Sequence, residues 1–462
     1  MKKLIRWFGT QERPHYGRLW LLFFIYPALV ALLVQLVVLP YIFPAWNAGD
    51  GMLAGGDWYM FHLIAVNLAQ KIHAQGWSVW QLRPYGQAPA GIAAAVYALI
   101  VPKPWTLIPL NAALHATAAM VLFLIMKSFL PDWRKALLTV FPFWLFPSAM
   151  IWYTQIHKDG YSIAGAFLFL YGWVLFAQNR TWERWWRGLL AMFLVFLGAG
   201  LVWVVRIYSV QMMQGVSVAL ALALTTIFVF RLAKKKLQWY SALAAIVVPW
   251  VVLIAMTPLT RGGIESEAPV TFSPAQPSQP VQPVQPVQPA QYAQSRWQSN
   301  GWPKFVEDEA YALALVRDGF TLGFPDAASN VDVGVRFRSV VEELAYLPRA
   351  VEIAFLAPFP SDWFGQGSFA QNTIMRRVSA FEMIGIYISL VLLPLAIWRW
   401  RRKPELWIVF IFCVGMMLIY ALVVANVGTL YRFRYGFIMT LVAIGIAGGF
   451  SFWGARGKSA KV

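Results

Sequence analysis

In the stretch NAGDGMLAGGDWYMFHLIA, Asn47 to Ala65, two carboxylates, Asp50 and Asp57, stand among glycines and small residues directly after a long apolar run. A carboxylate held at a membrane surface is suited to take a proton from an incoming hydroxyl, the work of a general base. The same residues have a plainer reading. Asp beside Gly is common turn chemistry, and Asp57 could simply cap a helix that begins at Trp58.

Such a carboxylate needs a membrane around it, and the composition supplies one. Of 462 residues, 59% are hydrophobic and 13% charged, too apolar for a soluble domain, and the apolar residues come in runs near bilayer length. The fold class that follows is an all-α polytopic membrane protein. The net charge of +18 would fit nucleic acid, but the basic residues fall in short clusters between apolar runs, so membrane topology accounts for most of it. The single cysteine, Cys413, rules out a disulfide framework and a thiolate metal site. The five histidines have no HExxH-type spacing. No metal and no cofactor are therefore expected, with a carboxylate-bound divalent ion left open.

Lys2, Lys3, Arg6, Arg13 and Arg18 precede the first run, Leu19 to Pro40, which is long enough to cross and has no small-residue cleavage pattern. With that basic flank inside, Tyr41 to Pro89 lies outside. Within it, Trp58 to Gln75 carries Phe61, Ile64, Ala65, Leu68 and Ile72 at helical spacing, the pattern of a helix lying flat on the membrane. Prolines 102, 104 and 109 cut the next apolar region. If Ala90 to Val101 is a surface or partly inserted segment and Trp105 to Met126 the second crossing, the later basic clusters, Lys127 to Lys135, Arg180 to Arg187, Arg231 to Lys236, Arg399 to Lys403 and Arg456 to Lys461, all fall inside. Further crossings follow at Ala136 to Tyr153, Tyr161 to Gln178, Gly188 to Val205, Gly215 to Ala233 and Trp239 to Thr257, then near Phe381, Leu406 and Gly436, about ten in all by the twenty-residue criterion. Pro258 to Val378 is one large polar outer loop. It opens with a Pro/Gln-rich spacer at 273–291, an extended polyproline segment, and continues with amphipathic helices at Pro303 to Ala314 and Val340 to Ala357.

This topology gathers polar residues at the outer ends of the runs. His157, Lys158 and Asp159 join two runs by a short connection, Arg206 ends another, and Tyr431, Arg432 and Arg434 lie in the last outer connection. With His62, these cations make a candidate anion-binding rim facing Asp50 and Asp57, and Asp159 and Tyr431 are candidate contacts to the rest of a substrate. Plainer readings stand beside this one: interfacial Arg206 can snorkel to headgroups, and His157 to Asp159 can close a salt bridge within its own turn. Arg432 and Arg434 break the positive-inside pattern, which points to a specific anionic partner. A carboxylate facing cations at the outer surface suits a lipid-linked phosphosugar, whose chain partitions between spans and whose phosphate meets the cations.

DWYMFHLIA with Asp57, Phe61 and Ala65, followed by GQAPAGIAAAVYAL, resembles the first outer loop of GT-C glycosyltransferases, the class of aminoarabinose transferases and protein O-mannosyltransferases. FPSAMIWYTQIHKDGYSIAG resembles the second outer connection of bacterial members. The resemblance implies a GT-C-like transmembrane module over 1–257 with a catalytic outer loop at 41–89, a periplasmic loop at 258–378, and C-terminal transmembrane helices at 379–462. It also implies catalysis by Asp57, lipid-phosphate binding by Lys158, Arg206, Arg432 and Arg434, and inverting sugar transfer from a polyprenyl-phosphate donor to a glycan, lipid or protein acceptor. In many members Glu follows the catalytic Asp, whereas here Trp58 does. The basic cytoplasmic face favours a bacterial inner membrane with both termini in the cytoplasm. Two other readings remain: an O-antigen polymerase or ligase using Arg317, Arg336 and Arg338 of the large loop, and a lipid-sugar flippase with charges lining a path.

Overall fold

The computed structural model describes residues 13–235, 237–260, 297–323, 327–367 and 370–459, so the Pro/Gln-rich spacer lies outside the described residues. The helices used below are α1 (Tyr16–Leu33, continued by a π-helical stretch Val34–Ile42), α2 (Asp57–Gln75), α3 (Ala88–Leu99), α4 (Ile108–Lys127), α5 (Trp133–Leu145), α6 (Pro147–Tyr153), α7 (Asp159–Phe176), α8 (Asn179–Glu183), α9 (Trp185–Val205), α10 (Ile207–Ala233), α11 (Trp239–Ala255), α12 (Lys304–Gly323), α13 (Val340–Leu356), α14 (Ala370–Val391), α15 (Leu393–Trp400), α16 (Pro404–Val423) and α17 (Val427–Ser459). Among the described residues nine helices are long and apolar enough to cross a membrane, ten if one bent pair is counted as a span, and there is no strand. The chain is an all-α polytopic membrane protein.

It divides into two compact units, one made of Met1–Leu259, Phe381–Cys413 and Gly436–Val462, the other of Thr260–Ala380 and Val414–Tyr435. In the first, α7 and α9 pack backbone to backbone. A Cβ added at Gly198 would stand 2.4 Å from the Gly165 carbonyl oxygen, and one added at Gly165 would stand 2.6 Å from that of Gly198. Small residues permit this approach, and dispersion between close helices replaces the hydrophobic drive that lipid cannot supply.

Two sequence expectations change in this unit. Ala136 to Tyr153 is not one straight crossing: α5 and α6 meet at 64°. The break is at Phe146 (φ −60°, ψ 126°), followed by Pro147, whose ring disfavours a helical residue before it. Nor is the apolar face of α2 left to lipid. Phe61, Ala65, Leu68 and Ile72 are buried in one cluster with Ala90, Ala93, Ala94 and Tyr97 of α3. At twelve residues α3 is too short to cross, as the surface or partly inserted reading required.

The second unit is held by arginines on carbonyl oxygens. Buried Arg317 donates to Val335 O (2.9 Å), Leu422 O (2.7 Å) and Asp332 O (3.1 Å), and its guanidinium lies 5.1 and 5.0 Å from the Phe337 and Tyr346 rings. Asp332 accepts from Arg349 (2.9 Å) and Tyr346 (2.7 Å). Burial pushes the Asp332 carboxyl up, but the bonds from Arg349 and Tyr346 and the nearby guanidinium charges outweigh it, and the net shift is downward. The helix expected from Pro303 runs as α12 to Gly323. At the start of α13, Ser339 Oγ accepts from the Glu342 N–H (3.3 Å), while Glu342 accepts from the Arg338 N–H (2.8 Å).

Candidate functional site

The polar groups of the first loop are positioned by its local backbone. After the π-helical stretch, Asn47 and Leu53 bridge, and the Ala48 N–H donates to Met52 O (2.7 Å), closing a tight turn. At its tip Gly49 (φ 116°), Asp50 (φ 53°) and Gly51 (φ 75°) occupy the left-handed region, which Asp tolerates better than most residues. A Cβ at Gly51 would meet the Gln35 carbonyl oxygen at 2.3 Å, so the turn sits directly on α1's continuation. The turn presents Asp50, 38% exposed, to Lys103 Nζ at 2.5 Å and to His62 Nε2 at 3.7 Å.

His62 is buried on α2, and its Nδ1 lies 2.9 Å from the Tyr97 hydroxyl. Burial lowers its pKa, Asp50 pulls it up, Lys103 pushes it down, and the net shift is downward. A neutral imidazole at physiological pH follows, with Nδ1 sharing a hydrogen bond with the Tyr97 hydroxyl and Nε2 facing Asp50. At 3.7 Å that last contact is too long for a hydrogen bond.

Asp57 is the first residue of α2, exposed, with Gly56 at the cap position, so it does not cap a helix starting at Trp58. Its carboxylate sits in the first turn, where the helix dipole favours negative charge. Trp58 folds its indole back over the helix start and donates to the Leu53 carbonyl. A Cβ at Gly56 would collide with that indole at 2.1 Å. The Trp58 ring lies 5.8 Å from the His157 imidazole, which joins the first loop to the connection between α6 and α7.

That connection is pinned from three elements. Gln35 donates to the Thr154 carbonyl, Asn111 of α4 donates to the Gln155 carbonyl (2.8 Å), and Gln155 Oε1 accepts from the Leu53 N–H (3.1 Å). Beyond it, His157 Nδ1 is 2.6 Å from Asp159 Oδ2, and Arg206 Nη2 donates to Asp159 Oδ1 (2.6 Å) while Nη1 donates to Ser162 Oγ (3.1 Å). Asp159 is wholly buried and Arg206 nearly so. The salt-bridge reading of this turn therefore describes it better than an open rim: Arg206 and His157 are turned onto Asp159. Lys158 is half-buried at the start of α7, and its carbonyl accepts from Ser162 Oγ (3.2 Å).

Lys103, Tyr97 and Arg83 are missing from the sequence reading, and Gln155 enters it only as the first residue of the connection to Asp159, without a role. Arg83 lies over the Trp203 ring at 4.1 Å and donates to Trp203 O (2.5 Å) and Val204 O (3.1 Å), closing the C-terminus of α9. Lys103 carried one signal, a lone cation between two prolines at the start of a span.

Tyr431, Arg432 and Arg434 belong to the second unit and lie on the first turns of α17, not in a loop. The Asn426 side chain accepts from the Thr429 N–H (3.0 Å) at that helix start. Arg434 is fully buried and donates to the carbonyls of Ile353 (3.0 Å), Ala354 and Ala357, at the C-terminus of α13. A helix C-terminus attracts a cation, which gives Arg434 a structural reason to be there. The expected phosphate contact is replaced by these carbonyls. Tyr431 is buried beside it, 5.8 Å from its guanidinium, and Arg432 is half-buried. Arg317, named for the polymerase reading, is likewise committed to carbonyls.

Asp50 stands beside exposed Lys103 and a neutral imidazole, and Asp57 is open to solvent at the start of the helix that carries His62. An exposed carboxylate can accept a proton and an exposed lysine can hold a phosphate. Compared with protein-family models, curated proteins and solved structures, the chain matches none of them.

Proposed function

We propose that the protein is an inverting glycosyltransferase that moves a sugar from a polyprenyl-phosphate donor to an acceptor at the outer face of a bacterial inner membrane. The observation that carries the reading is the grouping of Asp50, Asp57, Lys103 and His62 on one small loop-and-helix assembly at one end of the membrane unit. Lys103 is 46% exposed and its pair with Asp50 is solvated, so a phosphate can draw it away at a cost of ~0.2–1 kcal/mol. Arg206 supports from behind, through Asp159 and the turn it fixes.

In the reaction, Asp57 takes the proton of the acceptor hydroxyl as its oxygen attacks the anomeric carbon. The bond from that carbon to the phosphate oxygen breaks on the opposite face, and its electron pair leaves with the polyprenyl phosphate, whose charge Lys103 and Lys158 offset. One glycosidic bond forms, one phosphoester linkage is lost, and the anomeric configuration inverts. Asp50 holds Lys103 in place until the phosphate arrives.

Purified protein in lipid nanodiscs, given a polyprenyl-phosphate sugar and a cell-envelope acceptor, tests this. Asp57→Asn should lower the transfer rate about 10²–10⁴-fold, the usual contribution of a general base. Lys103→Met should instead raise the donor KM. Undiminished transfer by Asp57→Asn would remove the carboxylate from the mechanism.

A further inference from the structure

One carboxylate inside a span has no part in the chemistry above. Glu382 of α14 is buried, and its side chain accepts from both the Ser148 N–H (2.8 Å) and the Ser148 hydroxyl. Ser148 is the second residue of α6, directly after the 64° break. Breaking a helix there exposes N–H groups that the preceding turn no longer satisfies, and in a membrane no water replaces the lost partners. Ionisable residues within spans are rare and generally tied to function. Phe146, at the break, faces the same helix: its ring lies 3.7 Å from where a Cβ on Gly385 would stand.

α6 is seven residues long, so Ser148 and Thr154 are about 9 Å apart along its axis. The helix runs straight into the connection that carries Thr154, Gln155, His157 and Asp159, with the Thr154 N–H donating to Met150 O (2.9 Å). Its far end is pinned by Gln35, Asn111 and the first loop. Its near end is held by Glu382. A two-turn helix fixed at both ends is a rigid strut, and the residues beyond it take their position from it.

We propose that Glu382 is a positioning residue: by clamping the broken span at Ser148 it sets the register of α6 and thereby the placement of His157 and Asp159 against Trp58 and Arg206. The consequence for catalysis rests on the glycosyltransferase reading, whereas the clamp itself does not.

Hydrogen exchange followed by mass spectrometry on the full chain in nanodiscs separates the two. In Glu382→Ala, amides of residues 148–159 should exchange at least tenfold faster than in the native protein, while those in the middle of α7 and α9 stay within twofold. Ser148→Ala, which keeps the backbone bond and removes only the hydroxyl, should give a smaller rise confined to the same residues, and it decides the matter should Glu382→Ala fail to insert. In the transfer assay, Glu382→Ala should lower kcat at least tenfold with donor KM near native, and Glu382→Gln, which retains an acceptor for the Ser148 N–H, should recover part of it. An unchanged exchange pattern, or an equal rise throughout the membrane unit, would overturn the clamp. If the native protein transfers no sugar, the glycosyltransferase reading fails, and the exchange pattern still decides the role of Glu382.

Discussion

Asp50 and Asp57 are close in sequence and differ in what holds them. Asp50 is fixed by a strained turn and by Lys103, whereas Asp57 has the field of a helix start and an open face to solvent. The neighbours of His62 make the arrangement testable. Because Asp50 raises and Lys103 lowers the imidazole pKa, Asp50→Asn should drive it further down and Lys103→Met should bring it back up, as read by histidine NMR titration. The reverse order would contradict the geometry. The folded protein resists protonating His62, so its stability should fall as pH drops below the usual 6.5, where the unfolded chain takes up that proton first. Glu343 on α13 runs the other way. It is buried, and burial pushes it up from 4.5 to about 8, so the folded state holds a proton that the unfolded chain releases. Stability should therefore decline between pH 4.5 and about 8, by roughly a few kcal/mol, and Glu343→Gln should flatten that decline in pH-resolved thermal unfolding.

At the scale of elements, arginines explain what charge patterning misread. Charge patterning has no term for a guanidinium buried against the end of a helix, which is where Arg434 lies. Arg434→Met would take the donor from the carbonyls of Ala354 and Ala357, at ~1–3 kcal/mol for each buried group left unsatisfied, while the Ile353 carbonyl keeps the Ala357 N–H (3.2 Å). The expected outcome is a lower unfolding temperature with donor KM unchanged. A raised KM at native stability would restore the phosphate role. The close contact of α7 and α9 predicts that Gly198→Leu separates them and destabilises the membrane unit, again by thermal unfolding. The spans themselves were legible because twenty apolar residues in a row have few alternatives in water. The break in Ala136 to Tyr153 was signalled by Pro147 but hidden by unbroken hydrophobicity, and Glu382 was a lone acid in an apolar run whose partner no local pattern could reveal.

Across the membrane unit the two ends differ in chemistry. α4 runs about 24 Å from Asn111, bonded to Gln155, to Lys127. Near that far end Lys403 donates to Ser128 O (2.8 Å), Arg231 to Asn179 (2.5 Å) and Arg187 to Gln178 (3.1 Å). Lys103 and Arg206 are paired with carboxylates at the end that holds Gln155, whereas Lys403, Arg231 and Arg187 bond amides and carbonyls at the other. The composition made the membrane legible at once. The site was less so, because Lys103, Tyr97 and Gln155 reach it through tertiary packing of α2 on α3 and of the first loop on a broken span. The most direct measurement is mass spectrometry of cell-envelope glycans from cells lacking the protein, complemented with the native chain or with Asp57→Asn at equal membrane levels. The account predicts that one sugar addition disappears in the deletion, returns with the native chain and stays absent with Asp57→Asn. Identical glycans in all the strains, or full restoration by Asp57→Asn, would contradict it.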